Sequence, residues 1–349
     1  MEESAEPEEQ GEMNKVRIGR VNSVRNSKIK KTAEDPEHQL PIVYSPDYNI
    51  TCYGLEKLHP FDSCKWGRVM DQLIEDGYMT ESMYIRPTEA SHQDLRVVHS
   101  QHYLNSLLVS CVVAKCVEVP LVALVPYCII EKRLLKSMRL QTGGTITAAY
   151  LALEKGWAIN IGGGFHHAHA YGGGGFCIYA DITLALRFLF LDNKIKKAMI
   201  IDLDAHQGNG PEKDFAGDKN VCIVDVFNYE IYPRDFKAKE SIDLAVRLQS
   251  YTQDTEYLYE LKKALSKSLE DFEPDLVIYN AGTDCLDGDA VGHLSLSERG
   301  TVTRDEMVFT KVREAGLPIV MLLSGGYTHK SAQVISTSIK NLFDKKVIG

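Results

Sequence analysis

The sequence predicts an α/β protein, a single three-layer α/β/α domain built on a mostly parallel central sheet. Three observations carry that expectation. In the later part of the chain, short β-rich apolar runs alternate with stretches of helical period, the pattern of strands joined by crossover helices. Several of these runs pass directly into glycines and then into histidine or aspartate, at the strand end where an open α/β sheet collects its ligands. The chain has 349 residues, 44% hydrophobic and 25% charged, enough for a large core and ordinary for a soluble globular protein.

Taken in chain order, the first element is a tail. Residues 1–12 contain six glutamates and no basic residue, and residues 13–31 contain seven lysines or arginines and no acid. Neither stretch has an apolar period, so residues 1–40 are expected to form a flexible charged N-terminal tail and residues 41–349 the folded domain. The basic block reads either as a solvated stretch or as a nuclear address or contact for acidic partners. Beyond Leu40, strands are expected at Trp157–Ile161, Ala198–Leu203, Val221–Val226, Leu276–Tyr279 and Pro318–Leu323. Helices are expected at Ile182–Asp192, Tyr257–Phe272, Thr303–Glu314 and Lys330–Phe343. No internal repeat and no linker follows residue 40.

The net charge of −9 argues against direct nucleic-acid binding as the main activity, because phosphate neutralisation needs a basic excess. The longest nearly apolar stretch, Val119–Ile130, is interrupted by Pro120 and Pro126 and is far shorter than the roughly 20 residues of a membrane span. An acidic opening in place of a basic patch and apolar segment speaks against a secretory signal, so an intracellular location is expected. The eight cysteines form no CxxC and are expected to be reduced thiols.

The segment Ala198–Gly210 is the most informative. In extended chain alternate side chains share a face, so Asp202, Asp204 and His206 point to one side. Crowding two carboxylates and an imidazole suits a divalent cation; the competing reading is a capped strand end whose aspartates bond loop amides. Leu276–Asp284 brings a further carboxylate to a strand end. Asp204, His206 and Asp284 then make a three-ligand N/O set that leaves a catalytic Zn²⁺ an open position, although Asp284 alone reads as a turn residue. Trp157–His169 ends in three glycines followed by His166 and His167. Proton transfer, metal ligation and a satisfied loop pair all suit these two histidines, and proton transfer leads once three other ligands are in hand. His169 reads as a bystander. Gly172–Gly175 followed by Phe176 lacks the spacing of a phosphate or dinucleotide loop and suits close backbone approach to a narrow ligand, with Phe176 as an apolar wall. Pro318–Tyr327 ends in Gly325, Gly326 and a tyrosine that either donates to a developing oxyanion or packs structurally.

Taken together, GGGFHH, GGFC, DLDAHQGNG, AGTD and SGGY, in this order, resemble the zinc-dependent histone deacetylase family of the arginase-deacetylase fold, over roughly residues 40–343. The wording of these motifs, with IVYSPDYNI, GLEKLHPFD and QTGGTITA upstream, looks most like the class IV, histone deacetylase 11-like group. The resemblance implies one catalytic Zn²⁺ on Asp204, His206 and Asp284, with His167 as principal general base and acid, His166 as its electrostatic partner and Asp202 orienting His166. It further implies that Tyr327 polarises the acyl carbonyl and that Gly164, Gly174, Gly175, Phe176, Gly325 and Gly326 contact substrate. A structural K⁺ near Asp202, with Asp225 nearby, is also implied. The chain departs from the wider family at Gln207 and Asn209, where many members have a second histidine and a second aspartate. A neutral Asn209 can orient His167 but cannot raise its pKa through charge. The loop Leu121–Ile130 also lacks the acid that other classes use to clamp the substrate backbone.

The implied activity is removal of acyl groups, acetyl and long-chain fatty acyl, from lysines of histones or other proteins. Corepressors or other deacetylases are implied as partners, and the nucleus and cytoplasm as locations. Two alternatives stand beside it. A binuclear manganese ureohydrolase of the same fold would need a DxD at Asp284, where Cys285 and Leu286 follow instead. A catalytically weak acyl-lysine reader or corepressor scaffold would not need the intact ligand set and Tyr327.

Overall fold

The computed structural model describes residues 6–35, 37–51 and 62–349, with side chains from residue 16 onward. The glutamates at 2 and 3, Cys52 and residues 54–61 of the GLEKLHPFD motif lie outside the described residues. Seven strands, β1 (Ile42–Val43), β2 (Trp157–Asn160), β3 (Ala198–Asp202), β4 (Val221–Asn228), β5 (Leu244–Leu248), β6 (Leu276–Asn280) and β7 (Ile319–Leu322), form one sheet in the order β1-β2-β7-β6-β3-β4-β5. Every pairing is parallel. The longer helices are α1 (Glu6–Asn26), α2 (Lys65–Glu75), α3 (Lys136–Lys155), α4 (Asp181–Leu191), α5 (Asp254–Asp271), α6 (Glu298–Glu314) and α7 (Ser331–Asp344). Helices α2, α7, α6 and α5 pack in succession as one layer, while α3 and α4 pack together with α1 against α4. The result is the single three-layer domain that the alternation of strands and helices predicts.

Strands β2, β3, β4, β6 and β7 and helices α4 to α7 stand where the apolar patterns place them, within a few residues. Strands β1 and β5 were not expected. β1 is two residues long, and β5, at the sheet edge, is only partly buried through residues 244–247. Helix α3 was also not foreseen, because it is enclosed nearly all round. Gln141, Thr142, Thr145 and Thr147 are buried along with its apolar residues, which leaves no polar stripe to mark a helical period. A Cβ at Gly143 would collide with the carbonyl oxygen of Thr88, so glycine lets this helix sit directly on a neighbouring backbone.

The charged segment expected to be a flexible tail is helical over Glu6–Asn26, and Val24, Ile29 and Ala33 are buried. Lys31 pairs with Asp192 at 3.1 Å and lies over the Tyr150 ring. These anchors fall at the end of α1 and in the chain after it, too sparsely to give a period. Among the described residues no helix is long and apolar enough to cross a membrane. The described cysteines are free thiols.

Candidate active site and metal centre

Parallel pairing puts all carboxyl ends on one edge, and β2, β7, β6 and β3 are consecutive across the sheet. The four motif loops that leave these strands are therefore neighbours in space although far apart in sequence. His166 and His167 follow β2, Tyr327 follows β7, Asp284 follows β6, and Asp204 and His206 follow β3.

Asp204, His206 and Asp284 are buried and offer ligand atoms that all lie within 4.8 Å of one another. His206 Nδ1 is 3.1 Å from Asp204 Oδ1 and 2.8 Å from Asp284 Oδ2. The carboxylates are fixed from outside: Ala205 N donates to Asp284 Oδ1 at 2.9 Å, and Gly325 N and Ser324 Oγ each donate to Asp204 Oδ2 at 2.9 Å. At Gly325 a Cβ would stand 2.5 Å from Asp204 Oδ2 and 2.9 Å from Asp284 Oδ2, so the turn closes over the cluster only as glycine. Burial opposes charge on His206, but Asp204 and Asp284 outweigh it and push its pKa up to about 10. Burial and the Asp204 charge push Asp284 up to about 7. The donor set thus calls for positive charge, and a divalent cation supplies it to the same three atoms without a shared proton.

Behind the cluster, Asp202 Oδ2 lies 2.9 Å from His166 Nδ1, and Asn209 Oδ1 lies 2.9 Å from His167 Nδ1. The two rings are 4.1 Å apart. Burial works against protonation of His166, but Asp202 and Asp204 raise its pKa to about 9. Burial, then repulsion from His166 and His206, holds His167 well below the ordinary value. The two adjacent histidines are therefore pushed in opposite directions, His166 toward its charged form and His167 toward its neutral one.

The other expected residues divide between wall and support. A Cβ at Gly175 would collide with the His167 ring, and one at Gly174 would lie 3.2 Å from the Tyr232 hydroxyl. Phe176 stands edge-on to Tyr327 at 5.7 Å, and Tyr327 edge-on to His206 at 6.5 Å. Gly164 is instead enclosed beneath the site, where its N–H donates to Asp181 and its carbonyl accepts from Ser324 Oγ. Gly326 packs against Thr283 and Ser331. Asp202 and Asp225 are paired across β3 and β4. Asp225 lies against the carboxyl of Glu212, and burial, Asp202 and Glu212 hold its own carboxyl well above the ordinary range.

Sequence reasoning missed four contributors. Tyr232 packs edge-on to His167 at 5.0 Å; an aromatic before Pro233 in a loop carries no periodic signal. Lys65 is fully enclosed and its Nζ donates to the carbonyls of Ser324 and Gly325. Arg304 of α6 is likewise enclosed, and its Nη1 donates to Leu203 O at 3.2 Å and Gly282 O at 2.6 Å. Glu118 Oε1 accepts from Gly175 N at 3.2 Å, so an acid stands near Gly174 and Gly175, three residues before the acid-free loop Leu121–Ile130. Lysine, arginine and glutamate in sequence read first as solvated residues.

A family model described as the histone deacetylase domain matches residues 59–342. Over 307 residues the chain is 53% identical to histone deacetylase 2 of Arabidopsis thaliana, covering 88% of this chain and 79% of that protein. It is 28% identical over 323 residues to human histone deacetylase 1, covering 86% of this chain and 66% of the relative. A crystal structure of the HDA15 HD domain superposes with a TM-score of 0.70 at 19% identity, covering 88% of this chain and 89% of that one, a likeness of fold.

Proposed function

Because the chain belongs to the histone deacetylase family, we propose that it is a zinc-dependent protein lysine deacylase of the class IV, histone deacetylase 11-like group. The observation that carries the reading is the convergence of Asp204, His206 and Asp284, all buried, with ligand atoms within 4.8 Å of one another, beside His167, whose protonation burial opposes. Zinc on these three residues supplies Lewis-acid polarisation of the acyl carbonyl and of the attacking water. His167 then takes the water proton on Nε2, because Nδ1 is engaged by Asn209, and passes it to the departing lysine amine. His166, charged through Asp202, favours negative charge building up nearby. Tyr327 donates a hydrogen bond from its hydroxyl to the acyl oxygen, which gains negative charge as the carbonyl carbon becomes tetrahedral. Phe176 and Tyr232 exclude water around the acyl-lysine stem. A K⁺ beside Asp202 and Asp225 belongs to the same reading.

Acetyl-lysine and long fatty acyl-lysine of histones or other proteins are the substrates of this reading, in nucleus and cytoplasm, with corepressors or other deacetylases as partners. A long chain supplies binding through burial at about 0.8 kcal/mol per CH₂. The test is a deacylation assay over acyl lengths on one peptide sequence, with metal analysis of the same preparation. Zinc-dependent hydrolysis with myristoyl above acetyl turnover is expected. Full activity without metal would overturn the zinc reading, and equal or better acetyl turnover would overturn the chain-length preference.

A further inference from the structure

Gln207 and Asn209, the two positions at which the chain departs from the wider family it resembles, converge on one residue outside the motif, Asp235. Gln207 Nε2 donates to Asp235 O, and Asp235 N donates to Gln207 Oε1, each at 3.1 Å. One side-chain amide thus pins the Asp235 backbone through both its donor and its acceptor. The side chain is engaged separately: Asn209 Nδ2 donates to Asp235 Oδ2 at 3.3 Å, and Lys213 Nζ reaches the same oxygen at 2.6 Å.

These partners permit one arrangement of protons. An ionised carboxylate only accepts, so Asn209 turns its NH₂ toward Asp235 and its carbonyl oxygen toward His167. That oxygen also only accepts, so the neutral His167 carries its proton on Nδ1 and keeps the Nε2 lone pair free. An asparagine without Asp235 has no such direction. Its two ends are nearly isosteric, and the flipped amide would donate to Nδ1 and move the ring proton to Nε2. Burial opposes ionisation of Asp235, but hydrogen bonds from Lys213, the Ala238 N–H and Asn209 outweigh it and hold the carboxyl below its ordinary range.

We propose that Asp235 is a positioning residue for proton transfer: acting through Asn209, it selects the Nδ1–H tautomer of His167. This rests on the reading of His167 as general base. The carboxylate that many family members place directly behind the histidine stands here one amide further out.

The experiment reads the tautomer by ¹⁵N NMR of histidine-labelled, zinc-loaded full-length protein, alongside kcat, KM and zinc content. Asp235→Ala is expected to shift the His167 resonances away from the pure Nδ1–H pattern and to lower kcat by about 10- to 100-fold, with KM and zinc unchanged. Asn209→Asp sets two carboxylates back to back and is expected to be impaired. Combining it with Asp235→Asn exchanges the groups, so the carboxylate accepts from His167 while the amide donates from behind; kcat is expected to recover. That rescue separates the relay from a merely structural role, and the double variant remains informative if Asp235→Ala folds poorly. An unmoved tautomer in Asp235→Ala, or a double variant no better than Asn209→Asp alone, overturns the proposal. A tautomer that moves while His167→Ala keeps wild-type turnover supports the relay and overturns the general-base reading instead.

Discussion

The ammonium of Lys65 stands directly behind the turn that carries Tyr327, its Nζ donating to the Gly325 carbonyl oxygen at 2.7 Å. Burial lowers its pKa from 10.5 to about 8, against the pull of Asp204, Asp284 and Asp289. Between these values the unfolded chain binds more protons than the folded one, so this group makes stability rise with pH from about 8 to 10.5. Its contribution is present above that window and lost as pH falls through it. Lys65→Met removes the dependence. The wild-type advantage in unfolding free energy should grow across the window by up to about 1.4 kcal/mol per pH unit. Urea unfolding of both proteins at several pH values checks this, and a flat difference would place Lys65 at its ordinary pKa.

On the proposed reading, Asp204→Ala and Asp284→Ala should each lose zinc and activity together, because each would remove one of three ligands from an enclosed site. Metal analysis after dialysis decides the matter, and undiminished zinc in both variants would remove these residues from the ligand set.

His167→Ala should keep its zinc and lose about 10² to 10⁴ in kcat, the usual range for general acid/base catalysis. His166→Ala should be milder, since the proposed reading gives it an electrostatic part and no proton to transfer. Loss of zinc from His167→Ala would make that histidine a ligand.

Tyr327→Phe keeps the ring that packs on Phe176 and removes only the hydroxyl. It should retain its fold and zinc and fall in kcat by about 10² to 10³, the scale of one oxyanion donor. A rate within about threefold of wild type, with chemistry rate limiting, would assign the ring to packing alone.

Arg304 binds the carbonyls of Leu203 and Gly282, one residue before Asp204 and two before Asp284. Arg304→Lys keeps the charge but loses the fork, so zinc should leave faster under a chelator while the thermal midpoint falls by only a few degrees. Unchanged zinc release would show that the two loops hold their spacing without it.

Much of this was legible in sequence because β2, β3, β6 and β7 are buried strands that read as continuous apolar runs and end abruptly in the residues of interest. The order of those strands was not legible: nothing in Ile319–Leu322 announces that it inserts between Trp157–Asn160 and Leu276–Asn280. Residues acting from other elements were equally hidden. Lys65 and Arg304 matter because they are enclosed charges, and enclosure is a property of the packed molecule. Asp235 belongs to a loop without period, and its part depends on which end of an amide it meets.

Seven strands running the same way give the sheet a working rim and an idle rim. Chain enters β3, β4, β6 and β7 at the idle rim through segments that include the exposed residues Lys196, Lys197, Lys219 and Asn220, a sheet's length from the four chemical loops. Drift in sequence or added length there should leave the reaction alone, whereas the same change in the four chemical loops should disturb it. Relatives of this chain should therefore differ in loop length mostly on one side, and a reporter domain spliced at Lys219 would ride on a catalyst that does not notice it.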